Sequence, residues 1–203
     1  RYDLILDLQG LLKSALLALQ GLGPRAGFDW SSAREPLASL AYQRRFRIDQ
    51  KQHAIKALRT LVAQALDYRI DALPRFGLAP PPLEGLAQMP GGALAPDSVV
   101  LLHMTARADK QWPAERWREL ARRLDANSRD VVVPWGNDAE HARAHAIAHG
   151  LARVRVPERL SLTQCAALLA HARAVVGLDT GLTHLASAFG RPLVFMVPDT
   201  PRW

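Results

Sequence analysis

From residue 98 to residue 197 the sequence alternates short apolar runs with longer amphipathic ones, and this alternation limits the chain to very few folds. The apolar runs are Ser98–His103, Asp130–Val133, Val154–Val156, Ala174–Leu178 and Pro192–Val197. Between them lie helical patterns over Ala114–Leu124, Asp138–His149, Leu162–Ala172 and Leu182–Phe189. Strands that are apolar on both faces and separated by helices predict a parallel, doubly wound α/β sheet. Ligands in such sheets bind beyond the carboxyl ends of the strands, so the polar residues just after each strand are the candidates for chemistry.

The amino-terminal part is less regular. Residues Tyr2–Leu8 read as a strand and Leu11–Leu19 as a helix ended by Gly21, Gly23 and Pro24. A second helix is predicted over Leu37–Arg45 and a third over Gln50–Leu66, with Ala54, Ala57, Leu58, Leu61 and Leu66 near one face. Prolines and glycines then crowd residues 71–97, which reads as a linker. The expected organisation is a first domain over 1–70, the linker over 71–97 and a second, doubly wound domain over 98–203. The chain starts at Arg1 without Met and stops just after a strand, so it is expected to be a fragment lacking both ends.

Composition narrows the function. Lys and Arg number 26 against 19 Asp and Glu, an excess that suits phosphorylated ligands, nucleic acid or anionic lipid, and equally an arginine-rich genome. The single cysteine, Cys165, cannot form an internal disulfide and reads as a core residue. His53, His141, His145, His149 and His171 are scattered over helices as surface or packing residues, no Cys/His cluster has zinc spacing, and no metal is expected. No signal-peptide pattern or apolar run of ~18 residues is present, and a reducing cytoplasm is the simplest expected location.

Four segments offer ligand chemistry. After the strand ending at His103, Thr105 supplies a hydroxyl and Lys110 a cation beside the helix that Pro113 opens, a phosphate-binding arrangement that a solvated loop would also show. After the strand ending at Val133, Glu140 falls in a first helical turn, where it serves a ribose or simply complements the helix dipole. Asp179-Thr180-Gly181-Leu182-Thr183-His184 is the sharpest signal. Thr180 and Gly181 amides would face an anion, Asp179 would hold sugar hydroxyls or cap the helix, and His184 is expected one turn further in, pointing inward. In the first region Lys13 and Arg34 present cations, and six basic residues lie between Arg44 and Arg59 against one acid, Asp49. That run reads as a solvated helix face or as an anion-attracting surface. No Walker or dinucleotide glycine fingerprint occurs.

Five segments, in order, carry a family resemblance: Asp7–Ala15, Arg34–Leu40 with Tyr42, Asp109–Pro113 with Trp117–Leu120, Pro134-Trp135-Gly136, and Asp179–Leu185. Through them the chain resembles the ADP-heptose-dependent lipopolysaccharide heptosyltransferases of glycosyltransferase family 9. The Arg-Glu-Pro-Leu-Ala-Ser-Leu stretch points to the enzyme acting first in the series. The resemblance implies a GT-B fold of two Rossmann-like domains. It implies inverting, metal-independent transfer of L-glycero-D-manno-heptose from ADP-heptose to the first Kdo of Kdo2-lipid A, with no cofactor. It also implies a peripheral location on the cytoplasmic face of the inner membrane, against its anionic surface. Thr105 and Lys110 then fall at diphosphate contacts and Glu140 at the ribose. Leu160 falls where a backbone position recognises adenine, although Met is usual there. Asp179, Thr180, Gly181 and His184 fall at heptose and phosphate contacts, and Lys13 and Arg34 on the acceptor side. Ala106 replaces a common second Thr. The family's catalytic aspartate maps upstream of Arg1, so Asp3 and Asp7 are not assigned that role. A later heptosyltransferase with a heptose acceptor is the nearest alternative. A basic nucleotide- or nucleic-acid-binding module is the alternative of another class, without a helix-turn-helix or RNA-binding signature to support it.

Overall fold

The computed structural model describes residues 1–70, 75–82, 97–105 and 110–197. The chain divides into two compact units, Arg1–Leu73 and Pro74–Thr200. The boundary falls inside the predicted linker. Of that segment only 75–82 and 97 are described, and 75–82 carry neither helix nor strand.

In the second unit five strands pair in parallel: β4 (Val99–Leu102), β5 (Val131–Val132), β6 (Val154–Arg155), β7 (Ala174–Leu178) and β8 (Leu193–Met196). Their spatial order is β6-β5-β4-β7-β8. The chain therefore builds outward from β4 in one direction, then returns to add β7 on its other side. The strand order reverses between β4 and β7, which makes the carboxyl ends of these two strands the topological switch point. Helices α3 (Ala114–Ala126), α4 (Asp138–Ala148), α5 (Leu162–His171) and α6 (Gly181–Ala188) connect the strands.

The uninterrupted apolar character of β4 has a direct cause. Val100 and Leu102 point into one core with Ala167, Leu168 and Leu169 of α5 and Ala186 of α6. Val99 and Leu101 point into the other with Trp117 and Ala121 of α3 and Ala144 and Ile147 of α4. Both faces are buried, so the period-two alternation of a half-exposed strand never arises. His103 continues this strand and is fully buried. Neither ring nitrogen completes a hydrogen bond among the described residues. Burial, and then the charge of Arg143, pushes its pKa down to about 4.

In the first unit β1 (Ile5–Leu6), β2 (Arg25–Phe28) and β3 (Arg44–Phe46) form a parallel sheet in the order β1-β2-β3. Helices α1 (Leu12–Gln20) and α2 (Ala54–Leu66) accompany it. Here the structure corrects the sequence reading. The expected helix over Leu37–Arg45 is a short 3-10 turn, Pro36–Ala41, followed by β3. Strand β2 was not foreseen. Its four residues include Gly27, which is small because the Tyr42 ring occupies the space a Cβ would need. Helix α2 starts at Ala54 because the His53 ring accepts the Ile55 amide and caps it. Ala57 and Leu61 are buried as expected, but Ala54 and Leu66 are exposed. The basic run is not one helix face: Arg44 and Arg45 lie on β3, and only Lys56 and Arg59 lie on α2.

A buried carboxylate organises this unit. Asp7 Oδ1 accepts the amides of Gln9 and Gly10 at 2.8 and 3.3 Å, and the Tyr42 hydroxyl donates to Oδ2 at 2.6 Å. Gly10 has φ +63°, a conformation that only glycine adopts without strain, and a Cβ there would press on Phe28. Burial and the Asp7 carboxylate raise the Tyr42 pKa well above that of free tyrosine.

Two outcomes are expected. Replacing Tyr42 by Phe leaves Asp7 Oδ2 buried and unpaired, and urea unfolding should show a loss of about 1–3 kcal/mol. His103 binds its proton less readily when folded than when unfolded, so stability should fall as pH drops from about 6.5 to about 4. The loss contributed by this one group is on the order of 3 kcal/mol. His103→Leu should flatten that part of the pH–stability curve; an unchanged slope would remove His103 as its source.

Candidate functional site

The switch point carries a cavity of about 810 Å³. Thr105 from the end of β4, Glu140 from α4, and Thr180 and Gly181 from the start of α6 line it, together with Asn137 and Arg143. Four of the residues singled out in the sequence thus meet in one space, although they come from three different strand–helix connections.

Helix α6 enters this space with exposed backbone donors. Its N-cap is Thr180, whose side chain makes no capping hydrogen bond. By contrast Asn137 caps α4 and Ser161 caps α5 through their side chains. The Thr180 hydroxyl instead meets the Thr183 hydroxyl at 3.1 Å, and Thr183, fully buried, donates to the Leu178 carbonyl at 2.6 Å. Gly177 in β7 leaves room for it, since a Cβ there would collide with Thr183 Oγ1. The first amides of α6 remain directed at the cavity with the positive end of the helix dipole behind them.

Asp179 is not a helix cap. Its Oδ2 pairs with Lys110 Nζ at 2.7 Å and its Oδ1 lies 3.3 Å from His184 Nε2. Lys110, 69 residues away in sequence, is thereby brought to the turn that opens α6. The Lys110 hydrogen bond holds the Asp179 carboxyl below the usual carboxylate range against the opposing effect of burial, with the Lys110 charge and His184 adding to it. His184 does not point inward as expected. Its side chain is 65% exposed and rests against Phe195, with ring centroids 5.2 Å apart. The inward position on this turn belongs to Thr183. A five-residue offset from the strand end lets the Thr183 hydroxyl reach back to Leu178, a signal that the pattern Gly177…Thr183 carries in hindsight.

Glu140 Oε2 accepts the Gly136 amide at 2.8 Å, and Asn137 Oδ1 accepts the Glu140 amide at 3.0 Å. The carboxylate is therefore fixed at the cavity wall by the turn that precedes its own helix. Arg143, one turn on, donates to Gln111 at 2.6 Å and ties α4 to the segment before α3. The sequence reading passed over Arg143 and Gln111, although Arg143 shares the helix face of Glu140 at three residues' spacing. Leu160 packs on the core beside β4 and is not part of the cavity wall, whereas exposed Leu162 is. Ala106 and Asp109 lie outside the described residues. Cys165 is half-buried, and burial raises its thiol pKa. Among the described residues no group of three or more His, Cys, Asp or Glu side chains gathers as metal ligands.

The first unit has its own cavity, about 420 Å³, and Lys13 and Arg34 both line it, with Gln9, Ser32 and Gln50. Glu35 brings these two cations together. Its amide donates to the Gly10 carbonyl at 3.0 Å, and its carboxylate accepts the Leu12 amide at the start of α1. Lys13 and Arg34 themselves are exposed.

Comparison with known proteins places these features. The chain is 45% identical over 201 residues to lipopolysaccharide heptosyltransferase 1 of Pseudomonas aeruginosa, covering 98% of this chain and 55% of that protein. It is 42% identical over 193 residues to lipopolysaccharide heptosyltransferase 1 of Escherichia coli, covering 94% and 59%. The chain thus spans little more than half the length of these relatives. Among solved structures, the E. coli heptosyltransferase WaaC with ADP superposes with a TM-score of 0.85 at 38% identity, over all of this chain and 64% of that one. E. coli ADP-heptose heptosyltransferase II shares the fold at a TM-score of 0.69 and 23% identity. The sequence profile of glycosyltransferase family 9 (heptosyltransferase) matches residues 1–201, and the chain belongs to that family.

Proposed function

We propose that this chain carries the donor site and part of the acceptor site of an inverting heptosyltransferase. The reaction moves L-glycero-D-manno-heptose from ADP-heptose to the first Kdo of Kdo2-lipid A, without a metal ion, at the cytoplasmic face of the inner membrane. The carrying observation is the uncapped start of α6 facing a cavity, with the Lys110 ammonium held beside it by Asp179. That arrangement suits a pyrophosphate, and the relatives named above are heptosyltransferases, one of them solved with ADP and with ADP-2-deoxy-2-fluoro heptose.

In this reading the diphosphate lies against the Thr180 and Gly181 amides and the Thr105 hydroxyl. Glu140 takes the ribose hydroxyls with the oxygen that Gly136 leaves open. Asp179 and His184 hold the heptose. The acceptor hydroxyl loses its proton to a base, its oxygen attacks the anomeric carbon, and the bond from that carbon to the β-phosphate oxygen breaks. ADP leaves with both electrons of that bond. The charge that grows on the β-phosphate is met by Lys110 and the α6 amides, fixed donors that need no reorganisation as the bond breaks. Neither of the two aspartates on the opening segment of the first unit, Asp3 and Asp7, suits the base. Asp7 spends both oxygens on Gln9, Gly10 and Tyr42 in a buried turn. Asp3 is exposed and outside the cavities described.

Lys13 and Arg34 supply paired cations for an acceptor rich in phosphate and carboxylate. Among the described residues no helix is long and apolar enough to cross a membrane. The proposed membrane contact is peripheral, through the excess of Arg and Lys.

The test is Lys110→Ala in the intact protein that carries this chain. Turnover should fall by about 10²–10³, roughly 3 kcal/mol in barrier, with a smaller change in the dissociation constant for ADP. In the same variant the Asp179 carboxyl, followed by carbon NMR, should titrate higher than in the parent. Turnover equal to the parent's removes Lys110 from the reaction. On the acceptor side, Lys13→Gln and Arg34→Gln should each raise the acceptor KM about tenfold and leave ADP affinity as it was. Transfer to a heptosylated core in preference to Kdo2-lipid A would reassign the enzyme to a later step.

A further inference from the structure

Helix α4 presents His141 and His145 one turn apart, and the structure makes them a pair. Their Nε2 atoms share a hydrogen bond of 2.9 Å, one ring donating and the other accepting, with the rings nearly perpendicular at 85°. One of the two rings is held in place. The His141 ring lies on the Trp135 indole, with centroids 4.2 Å apart, and the Trp135 N–H is fixed by the Pro157 carbonyl at 2.7 Å. Both histidines open onto a cavity of about 570 Å³ that Glu158 and Arg159 also line.

When the donating ring carries its proton on Nδ1 instead, the two Nε2 atoms have the spacing of a chelate. A first-row dication sits about 2.0–2.1 Å from an imidazole nitrogen. At that bond length a nitrogen separation near 2.9 Å subtends an angle of about 90°, the cis angle of octahedral and square-planar complexes, whereas a tetrahedral ion needs roughly 3.3–3.4 Å. We propose that His141 and His145 form a bidentate site for a tetragonal, imidazole-seeking dication, Cu²⁺ foremost and Ni²⁺ next. Water fills the other positions, because no third His, Cys, Asp or Glu side chain is gathered there among the described residues. The clamp of Trp135 on His141 orients one ligand in advance, and this lowers the entropy lost on binding. His141 directly follows Glu140, so the ion sits just outside the wall of the donor cavity and takes no part in leaving-group departure. The site stands whether or not the proposed transfer does.

The experiment is a titration of the protein with Cu²⁺ at neutral pH in a non-coordinating buffer, followed by calorimetry and tryptophan fluorescence. One ion per chain is expected, with quenching of the adjacent Trp135. Electron paramagnetic resonance of the one-to-one complex should show coupling to two imidazole nitrogens. His141→Ala and His145→Ala should each weaken binding at least about tenfold, while His149→Ala, on the same helix but outside the pair, should leave it unchanged. Circular dichroism confirms that the variants fold. Absence of saturable Cu²⁺ binding, or binding that survives both single substitutions, overturns the site. Zn²⁺ binding tighter than Ni²⁺ overturns the tetragonal assignment.

Discussion

The hydrogen bond from Thr183 to the Leu178 carbonyl fixes the geometry on which the candidate site depends. It closes the end of β7 onto the first turn of α6 from the buried side, and Gly177 makes the space for it. With Thr183 turned inward, the Thr180 side chain is drawn toward Thr183 and not to the helix amides. The same turn directs Asp179 away from the cap position and toward Lys110. A single buried hydroxyl therefore determines that the α6 amides stay open and that a cation is stationed next to them. Because β4 and β7 are hydrogen-bonded neighbours, with Leu102 opposite Gly177, the Thr105 segment must leave its strand beside that same turn. The cavity is thus a consequence of strand order and of one side-chain contact.

The first unit reaches a comparable end by different means. Asp7 and Glu35 are both acids whose charge is used on backbone amides: Gln9 and Gly10 for one, Leu12 for the other. Each replaces a water that an irregular turn would otherwise need. Their joint effect is to lock the β1 exit turn to the segment that carries Arg34, and so to set Lys13 and Arg34 on one cavity. Segments that resemble the heptosyltransferases in this unit are largely the segments that make these bonds. Their residues serve the scaffold and display two cations on one cavity.

Much of the second unit was legible in the sequence, because β4 and β5 are buried on both faces and three of its helices begin at a capping side chain or at Pro113. The strand Ala174–Leu178 agrees to the residue, and the predicted helices agree within two residues at either end. The first unit was read less well. Strand β3 contains two arginines, and Arg44 lies over the Phe46 ring while Arg45 donates to the Tyr42 carbonyl. Exposed charged residues at these positions erase the apolar pattern by which strands are recognised. Four residues predicted from their place just after strands, Thr105, Glu140, Thr180 and Gly181, line one cavity, and Lys110 pairs with Asp179 at the turn before Thr180. Thr183, Gly177 and His103 were missed because their roles depend on which side chain turns inward, and spacing along a helix does not decide between neighbours. His141 and His145 were set aside as scattered, since an interval of four residues gains meaning only when an indole holds one ring in place.

Charge balance links the ion pair to the chemistry proposed for it. Lys110 and Asp179 neutralise each other at 2.7 Å, half-buried, so the protein need not hold a bare ammonium in a partly desolvated site. Asp179 has a second interaction, with His184, on its other oxygen. A diphosphate arriving at the α6 amides competes for the ammonium without having to draw it from water. The carboxylate can then turn to sugar hydroxyls, for which an acceptor-only group is well suited. Attraction between Lys110 and a phosphate oxygen grows as the glycosidic bond lengthens and negative charge moves onto the β-phosphate. The attraction between Lys110 and Asp179 does not change along that coordinate. An ammonium shared between a fixed carboxylate and a developing anion thus favours the transition state over bound donor, which is the condition for a binding group to raise turnover as well as affinity.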